Sequence, residues 1–467
     1  MRSALIWRVM VLLVLAAPAA RAQFQLPAPA SSAPNQDGTP SSAPAKLATR
    51  LPYQWGIGSE SDIVYRTNPD LDKAVRDNSL ILAPQVNGYI IYRPTDRVEM
   101  TLEMILEREI AAREEHTVIL PNGEVQTAPK RGLSLLFDQA AVKYRITPPL
   151  ELTVGRRNFE DDRHYLYDTS LDVVHARWRR GYATLEASIG RKDAVDGDVL
   201  RKVNKTRINN HMFHLDWRGI EDHKQAAYFI IRDDRAEKEG RPQWLGLNAT
   251  GAPSRSFSYW GDIGWLHGRD ELRRKFSAHA VDFGATWRFL KARGFPSVTL
   301  GYAAGSGDGD PNDNINNEFR QTGLHSNERR LAGVAKFKVY GETLDPDVSN
   351  LEIFSTGVGF IPVQNVTVDV MLHRYRSDKF SDELRGSAVT AQMSQVDTAL
   401  SDDVGQALDV VIGLRSLFGY RRLGVDVRAG VFRPGRAFVR NVGTDEIPDI
   451  RRADTAYAVI CKFWWIF

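Results

Sequence analysis

Tyr457-Ala458-Val459-Ile460-Cys461-Lys462-Phe463-Trp464-Trp465-Ile466-Phe467 closes the 467-residue chain. In an extended strand, successive side chains point to opposite faces. Tyr457, Val459, Cys461, Phe463, Trp465 and Phe467 then share one face, apolar from end to end. On a soluble protein such a terminal strand is an aggregation hazard. On a membrane wall the same face packs against lipid.

The pattern recurs upstream. Val98, Met100, Leu102, Met104 and Leu106 alternate with Glu99, Thr101, Glu103, Ile105 and Glu107. A helix would scatter these glutamates, whereas a strand gathers them on one side. Phe213, Leu215 and Trp217 oppose His214, Asp216 and Arg218. Val366, Val368, Val370 and Leu372 oppose Thr367, Asp369 and His373, and Val425, Val427, Ala429 and Val431 oppose Asp426, Arg428 and Gly430. Alternation alone fits a soluble sandwich as well. The two ends of the chain separate the readings. The last strand resembles the terminal signal by which bacterial barrels are recognised for assembly, with Phe463, Trp465 and Phe467 carrying it.

The first residues specify export. Arg2 and Arg8 form a basic start, followed at 9–17 by an apolar run of roughly nine residues, too short to span a bilayer. Ala20-Arg21-Ala22 places small residues where a signal peptidase reads, so residues 1–22 are expected to be a signal peptide. Residues 23–50 are rich in Pro, Ala and Ser and bury too little apolar surface to offset their ordering entropy, so a flexible leader is expected there. Residues 51–467 are left for the barrel. No later run reaches the roughly 18 apolar residues of a membrane helix, mean hydropathy is −0.34, and charged residues make up 25%. The one cysteine, Cys461, excludes an intramolecular disulfide. A net charge of +3 gives no case for nucleic acid.

The fold expected is all-β, a transmembrane antiparallel β-barrel in the outer membrane of a Gram-negative-type bacterium. The spacing fits roughly 16 to 18 strands. Long outer loops are expected at 114–130, 234–254, 305–328 and 377–402, with Pro148-Pro149 as a periplasmic turn. Wall side chains do not fill a barrel this wide, so it is a water-filled channel or is gated by loops.

Four stretches carry a family resemblance. They are Val154-Gly155-Arg156-Arg157 with Asp168-Thr169; Phe319-Arg320-Gln321-Thr322-Gly323-Leu324 with Ser326-Asn327, Tyr340-Gly341-Glu342 and Leu351; Gly405-Gln406-Ala407-Leu408-Asp409; and Arg428 to Gly435. Together they resemble the alginate export porins of the outer membrane, the Gln-Thr-Gly-Leu stretch being the most specific. The resemblance implies 18 strands and a channel, gated by an outer loop and a periplasmic turn, through which an anionic polysaccharide leaves. It also implies a periplasmic scaffold or secretion lipoprotein as partner, no cofactor and no catalytic residue. Aligned to that family, Ala83, Asp138, Asn158, Glu328 and Asp426 stand at basic pore positions, and Lys336 keeps its charge. Arg156, Arg157, Arg218, Lys336 and Arg428 remain as basic candidates, opposed by Glu99, Glu103, Glu107, Asp138 and Asp426. Such a mixed lumen suits a neutral or weakly charged saccharide, or another small polar solute, at least as well as alginate. Asp168 and Thr169 are further candidates for the substrate path.

An enzyme reading finds little support. His373 and Asp369 share a face without a serine in a nucleophile context, and His211 and His214 fall on opposite faces. His164 has Asp161 and Asp162 beside it, a common solvated arrangement and no metal set.

Overall fold

A computed structural model describes residues 52–466 apart from 75–76, 114–116, 120–124, 128–131, 196, 201–206, 235–239, 383, 394–399 and 442–449. The expected signal peptide (1–22), the expected leader (23–50) and Phe467 lie outside the described residues.

Eighteen long strands follow one another: β1 Tyr53–Thr67, β2 Ser79–Thr95, β3 Val98–Arg108, β4 Leu133–Thr147, β5 Leu150–Glu160, β6 Asp168–Arg180, β7 Ala183–Arg191, β8 Ile208–Trp217 and β9 His223–Asp234. The second half runs β10 Arg241–Ser254, β11 Phe257–Arg269, β12 Ala278–Arg288, β13 Ser297–Gly305, β14 Leu351–Val363, β15 Val366–Ser377, β16 Asp403–Arg415, β17 Leu423–Pro434 and β18 Ala456–Ile466. Neighbours pair antiparallel, and β18 pairs with β1, Asp62 opposite Lys462, which closes the sheet. Eight connections at one end hold two to eight residues, Pro148 and Pro149 among them, and nine at the other hold six to 45. Short turns are periplasmic and long loops external in such barrels, which orients this one.

The wall is apolar outside and polar inside. Phe213, Leu215, Phe283, Trp287, Leu300, Leu372, Phe463 and Trp465 are exposed, whereas Asp262, Asp282, Thr299, Asp369, His373 and Asp409 are buried. This inversion distinguishes a membrane barrel from a sandwich.

Two loop expectations need correction. Residues 241–254 are the wall strand β10, not an outer loop. Pro242, Gly246, Asn248 and Gly251 read as breakers, but a Cβ at Gly246 would meet the Tyr228 ring at 2.2 Å, so glycine there makes room for a lumen aromatic. The loop expected at 305–328 runs on to residue 350 and folds into the barrel instead of outward. It reaches the turn end of the wall, where Arg288 donates to Leu331 O (3.2 Å) and Arg415 to Val334 O (2.7 Å). Phe319, Leu324, Phe337 and Leu344 drive it there, since all four are buried inside the barrel. Within this inner loop Glu328–Arg329 pairs with Phe337–Lys338 as a small hairpin.

Candidate functional site

The site is built where the inner loop meets the β5–β6 tip. The β4–β5 ladder ends at Ala140 opposite Arg156. Gly155 makes the break possible: its φ is +120°, and a Cβ there would meet Ala140 O at 2.3 Å. Beyond it β5 pairs with β6 alone, and residues 161–167 enter the lumen with Tyr165, Leu166 and Tyr167 buried. The Asp161 carboxylate shapes this tip by accepting the backbone N–H groups of Arg163, Tyr165, Leu166 and Tyr167. The inner loop docks on the backbone of this tip through both backbone and side-chain groups. Asp168 N donates to Leu324 O (2.6 Å), Asn327 N to His164 O (3.0 Å), Gln321 Nε2 to Tyr165 O (3.3 Å), and Thr322 Oγ1 to Leu166 O. The Gln-Thr-Gly-Leu stretch is therefore a docking seam.

Two charged clusters flank this seam. In the first, His164 lies between Glu160 (2.6 Å) and Asp168 (2.8 Å), Ser326 Oγ donates to Asp168 (2.7 Å), and Lys336 Nζ donates to Glu160 (3.1 Å). The residues four before and four after His164 are its partners, not Asp161 or Asp162, and it is buried, not solvated. Asp162 instead accepts from Lys224 (3.2 Å). Burial pushes the His164 imidazolium down, but the two carboxylates more than offset this and hold its pKa at about 9. It is a cation at neutral pH, so it does not accept a proton from Ser326 as a triad base must.

In the second cluster Arg428 donates to Glu328 (3.0 Å) and Glu342 (3.4 Å), tying β17 to the inner loop. Asp426 pairs with Arg415. The remaining candidates belong to the wall. Arg156 pairs with Asp172 (3.2 Å) and donates to Lys192 O (2.9 Å) in the β7–β8 connection. Asp138, at a bulge in β4, accepts from Ser170 Oγ (2.7 Å). Arg157 lies 5.0 Å over the Phe159 ring, and Asn158 and Thr169 sit opposite Ser170 and Phe159 in the ladder. The structure thus brings Asp168, Glu328, Lys336 and Arg428 together around one loop. It places Arg156, Asn158 and Asp138 apart from them.

His373 does have a serine beside it. Ser355, directly opposite on β14, lies 2.8 Å from His373 Nδ1, and Asp409 on β16 lies 3.2 Å from Nε2. Cross-strand register is invisible to spacing along the chain, which is why the serine was missed. The row runs on into the inner loop: Glu342 N donates to Asp409 (3.3 Å), and the neighbouring Tyr375 OH donates to Tyr340 O (2.7 Å). Its geometry fits a tether between wall and loop. Among the described residues there is no group of three or more metal-ligating side chains.

The opposite arc of the lumen stays partly open. Lys462 on β18 pairs with Glu60 on β1 (2.7 Å), Glu99 on β3 with Lys143 (2.6 Å) and Arg93 (2.6 Å), and Glu103 accepts from Gln139 (2.7 Å). These side chains are 21–31% exposed, except for Glu103 and Gln139, which are also only partly buried.

The fold matches solved outer-membrane porins at low identity. OccAB4 of Acinetobacter baumannii aligns with a TM-score of 0.55 at 9% identity, over 90% of this chain and 99% of that one. OpdK of Pseudomonas aeruginosa, solved with vanillate, aligns at 0.53 and 11%, over 89% and 99%. OccK2 (OpdF) of the same organism, in complex with glucuronate, aligns at 0.52 and 12%, over 89% and 98%. No curated protein matches the sequence. Residues 44–448 match the family model for alginate export. That span takes in the docking seam, both charged clusters and all but the last strand of the wall, and the chain belongs to the alginate export family.

Proposed function

We propose that this outer-membrane channel secretes an exopolysaccharide, an alginate-like polyuronate or a related saccharide, by electrostatically guided diffusion. One observation carries the reading: the chain belongs to the alginate export family across residues 44–448. The accessible arc, from β1 to β4 and across to β18, presents Glu60, Asp62, Glu99, Glu103 and Glu107 interspersed with Arg93, Lys143 and Lys462. A sugar chain passing such a wall exchanges water for weak contacts at many points. The cations lower the energy of a carboxylated ring, and the neighbouring acids keep it from being held. The inner loop, clamped by Arg428 and His164, narrows the path. The channel makes and breaks no bond and so needs no catalytic residue and no cofactor. Export past a signal peptide cleaved near Ala22, assembly through Phe463, Trp465 and Phe467, and docking of a periplasmic scaffold or lipoprotein at the turn end complete the proposal.

A solute-selective porin for small polar molecules is the second reading. It is favoured by the non-basic residues Ala83, Asp138, Asn158, Glu328 and Asp426 at positions that are basic in the alginate pore. The likeness to porins solved with vanillate and glucuronate supports it too. Single-channel conductance of the refolded protein in a planar bilayer separates the two. Anion selectivity with block by uronate oligomers is the result expected for secretion. Cation or no selectivity, with no uronate block, would replace it with the porin reading.

A further inference from the structure

Arg163 and Arg329 meet inside the barrel with guanidinium nitrogens that their surroundings leave without a hydrogen-bond partner. Arg163, on the β5–β6 tip, is 6% exposed and pairs with Asp282 of β12. Both oxygens of Asp282 are already engaged, by Trp260 Nε1 (2.9 Å) and Tyr340 OH (2.6 Å). Arg163 Nε and Nη1 remain buried without a hydrogen-bond partner. Arg329, on the inner hairpin, donates Nε to Arg330 O (3.2 Å), and its Nη1 is likewise buried and unpartnered. Among the described residues no carboxylate lies within ion-pair distance of Arg329.

The two guanidinium groups converge on one indole, Arg163 Cζ at 5.2 Å and Arg329 Cζ at 4.6 Å from the Trp260 ring centre. With Asp282, Tyr340 and Leu331 both line a partly enclosed space of about 20 Å³, room for a single water-sized ion or group. Among the described residues Asp282 is the one carboxylate in ion-pair contact, and Asp262, opposite it in the β11–β12 ladder, accepts from Tyr228 OH (2.9 Å), so three guanidinium nitrogens are left unmet in a site shielded from bulk water. Guanidinium does not escape this by losing its proton. Buried guanidinium donors without partners are costly, and one anion satisfies donors of both arginines at once. Burial, and then the Arg163 charge, push the Arg329 guanidinium down to about 9.

We propose that this space binds one small anion, chloride or a single carboxylate group, which bridges Arg163 and Arg329 and pins the inner hairpin to the β5–β6 tip. Two sources supply that chemistry: a resident ion, or the carboxylate of a uronate in transit.

The test uses the full refolded barrel in detergent. Crystals grown with bromide as the sole halide should show an anomalous peak between the two guanidinium groups. Soaking with glucuronate then separates the sources, since retention of bromide assigns a resident ion and displacement assigns the carboxylate. Thermal unfolding gives an independent sign. Halide titrated at fixed ionic strength against a bulky sulfonate, which offers neither a halide nor a carboxylate, should raise the midpoint of the wild type saturably, by roughly 2–4 °C. Arg329→Gln should lower the midpoint and abolish the halide dependence, while Arg329→Lys, which keeps the charge, retains it. With no anion in place, Arg329→Gln merely removes a charge beside a like charge. A raised or unchanged midpoint in that variant, a wild type indifferent to halide, or crystals without the peak would each overturn the proposal.

Discussion

The lumen face of β8–β17 and the lumen face of β1–β4 with β18 are written in the same alternation, yet they behave as different materials. On the first arc Asp262, Asp282, Asp369, His373 and Asp409 are 5% exposed or less. Most of them find a partner in the inner loop, the β5–β6 tip or a neighbouring strand. On the second arc Glu60, Asp62, Glu99 and Lys462 keep contact with water, Glu60 and Asp62 pairing with Lys462 and Glu99 with Arg93 and Lys143. Burial makes a charge costly unless it is matched, so the first arc uses its charges to hold loops in place. Partial exposure makes a charge cheap to keep and weak as a bond, so the second arc can present charges to a solute. One barrel wall thus serves as scaffold along one arc and as channel lining along the other.

The sharpest way to break this contrast is to remove what seals the first arc. Replacing residues 312–346 with a short Gly-Ser linker should raise single-channel conductance several-fold. Unchanged conductance would show that the inner loop does not set the bore. Next in size is a matched pair of substitutions, one on each arc. Arg428→Gln leaves Glu342 buried without its cation, and loss of about 3–5 kcal/mol is expected in urea unfolding. Lys462→Gln removes an equally well-formed pair from the open arc, where about 1 kcal/mol or less is expected. Equal losses would erase the distinction between the arcs.

The two arcs were unequally legible in the sequence. The outward stripes could be read because lipid demands an apolar residue at every second position, as at Phe283 and Trp287. Strand β10 was obscured because its lumen face needs Gly246 beneath the Tyr228 ring, and glycine reads as a break. Resemblance marked residues 319–327 as special, but the partner of that seam, 161–167, lies about 150 residues away and meets it inside the lumen. No local pattern encodes that contact. At His164 the local pattern misled, since the adjacent Asp161 and Asp162 drew attention from Glu160 and Asp168, which the turn brings onto the ring. Arg163 and Arg329 gave no sign in the sequence, because two arginines become a site only when loops from opposite sides of the fold converge.

His164 allows the seam to be probed by pH. Its pKa is held at about 9 against an ordinary value of 6.5. A raised value means that the protonated form is the one favoured by folding. Its contribution to docking is therefore complete below pH 6.5 and is lost as pH rises through 9. Open-channel noise is expected to grow between pH 7 and pH 10, and His164→Asn should flatten that dependence. A variant that retains the full pH response would place the titrating group elsewhere.

The smallest effect belongs to the open arc. Glu103→Gln and Glu107→Gln remove negative charge from a wall where water already screens it. They leave no buried partner stranded, because Glu103 accepts from the neutral Gln139 amide. Stability should therefore change by less than about 0.5 kcal/mol. The lumen potential should still move toward positive, shifting ion selectivity toward anions by up to about twofold at low salt and less at high salt, where the screening length falls to a few ångströms. Reversal potential under a salt gradient measures this directly. A large loss of stability with no selectivity shift would mean that this arc, too, is scaffold, and that the channel runs elsewhere in the lumen.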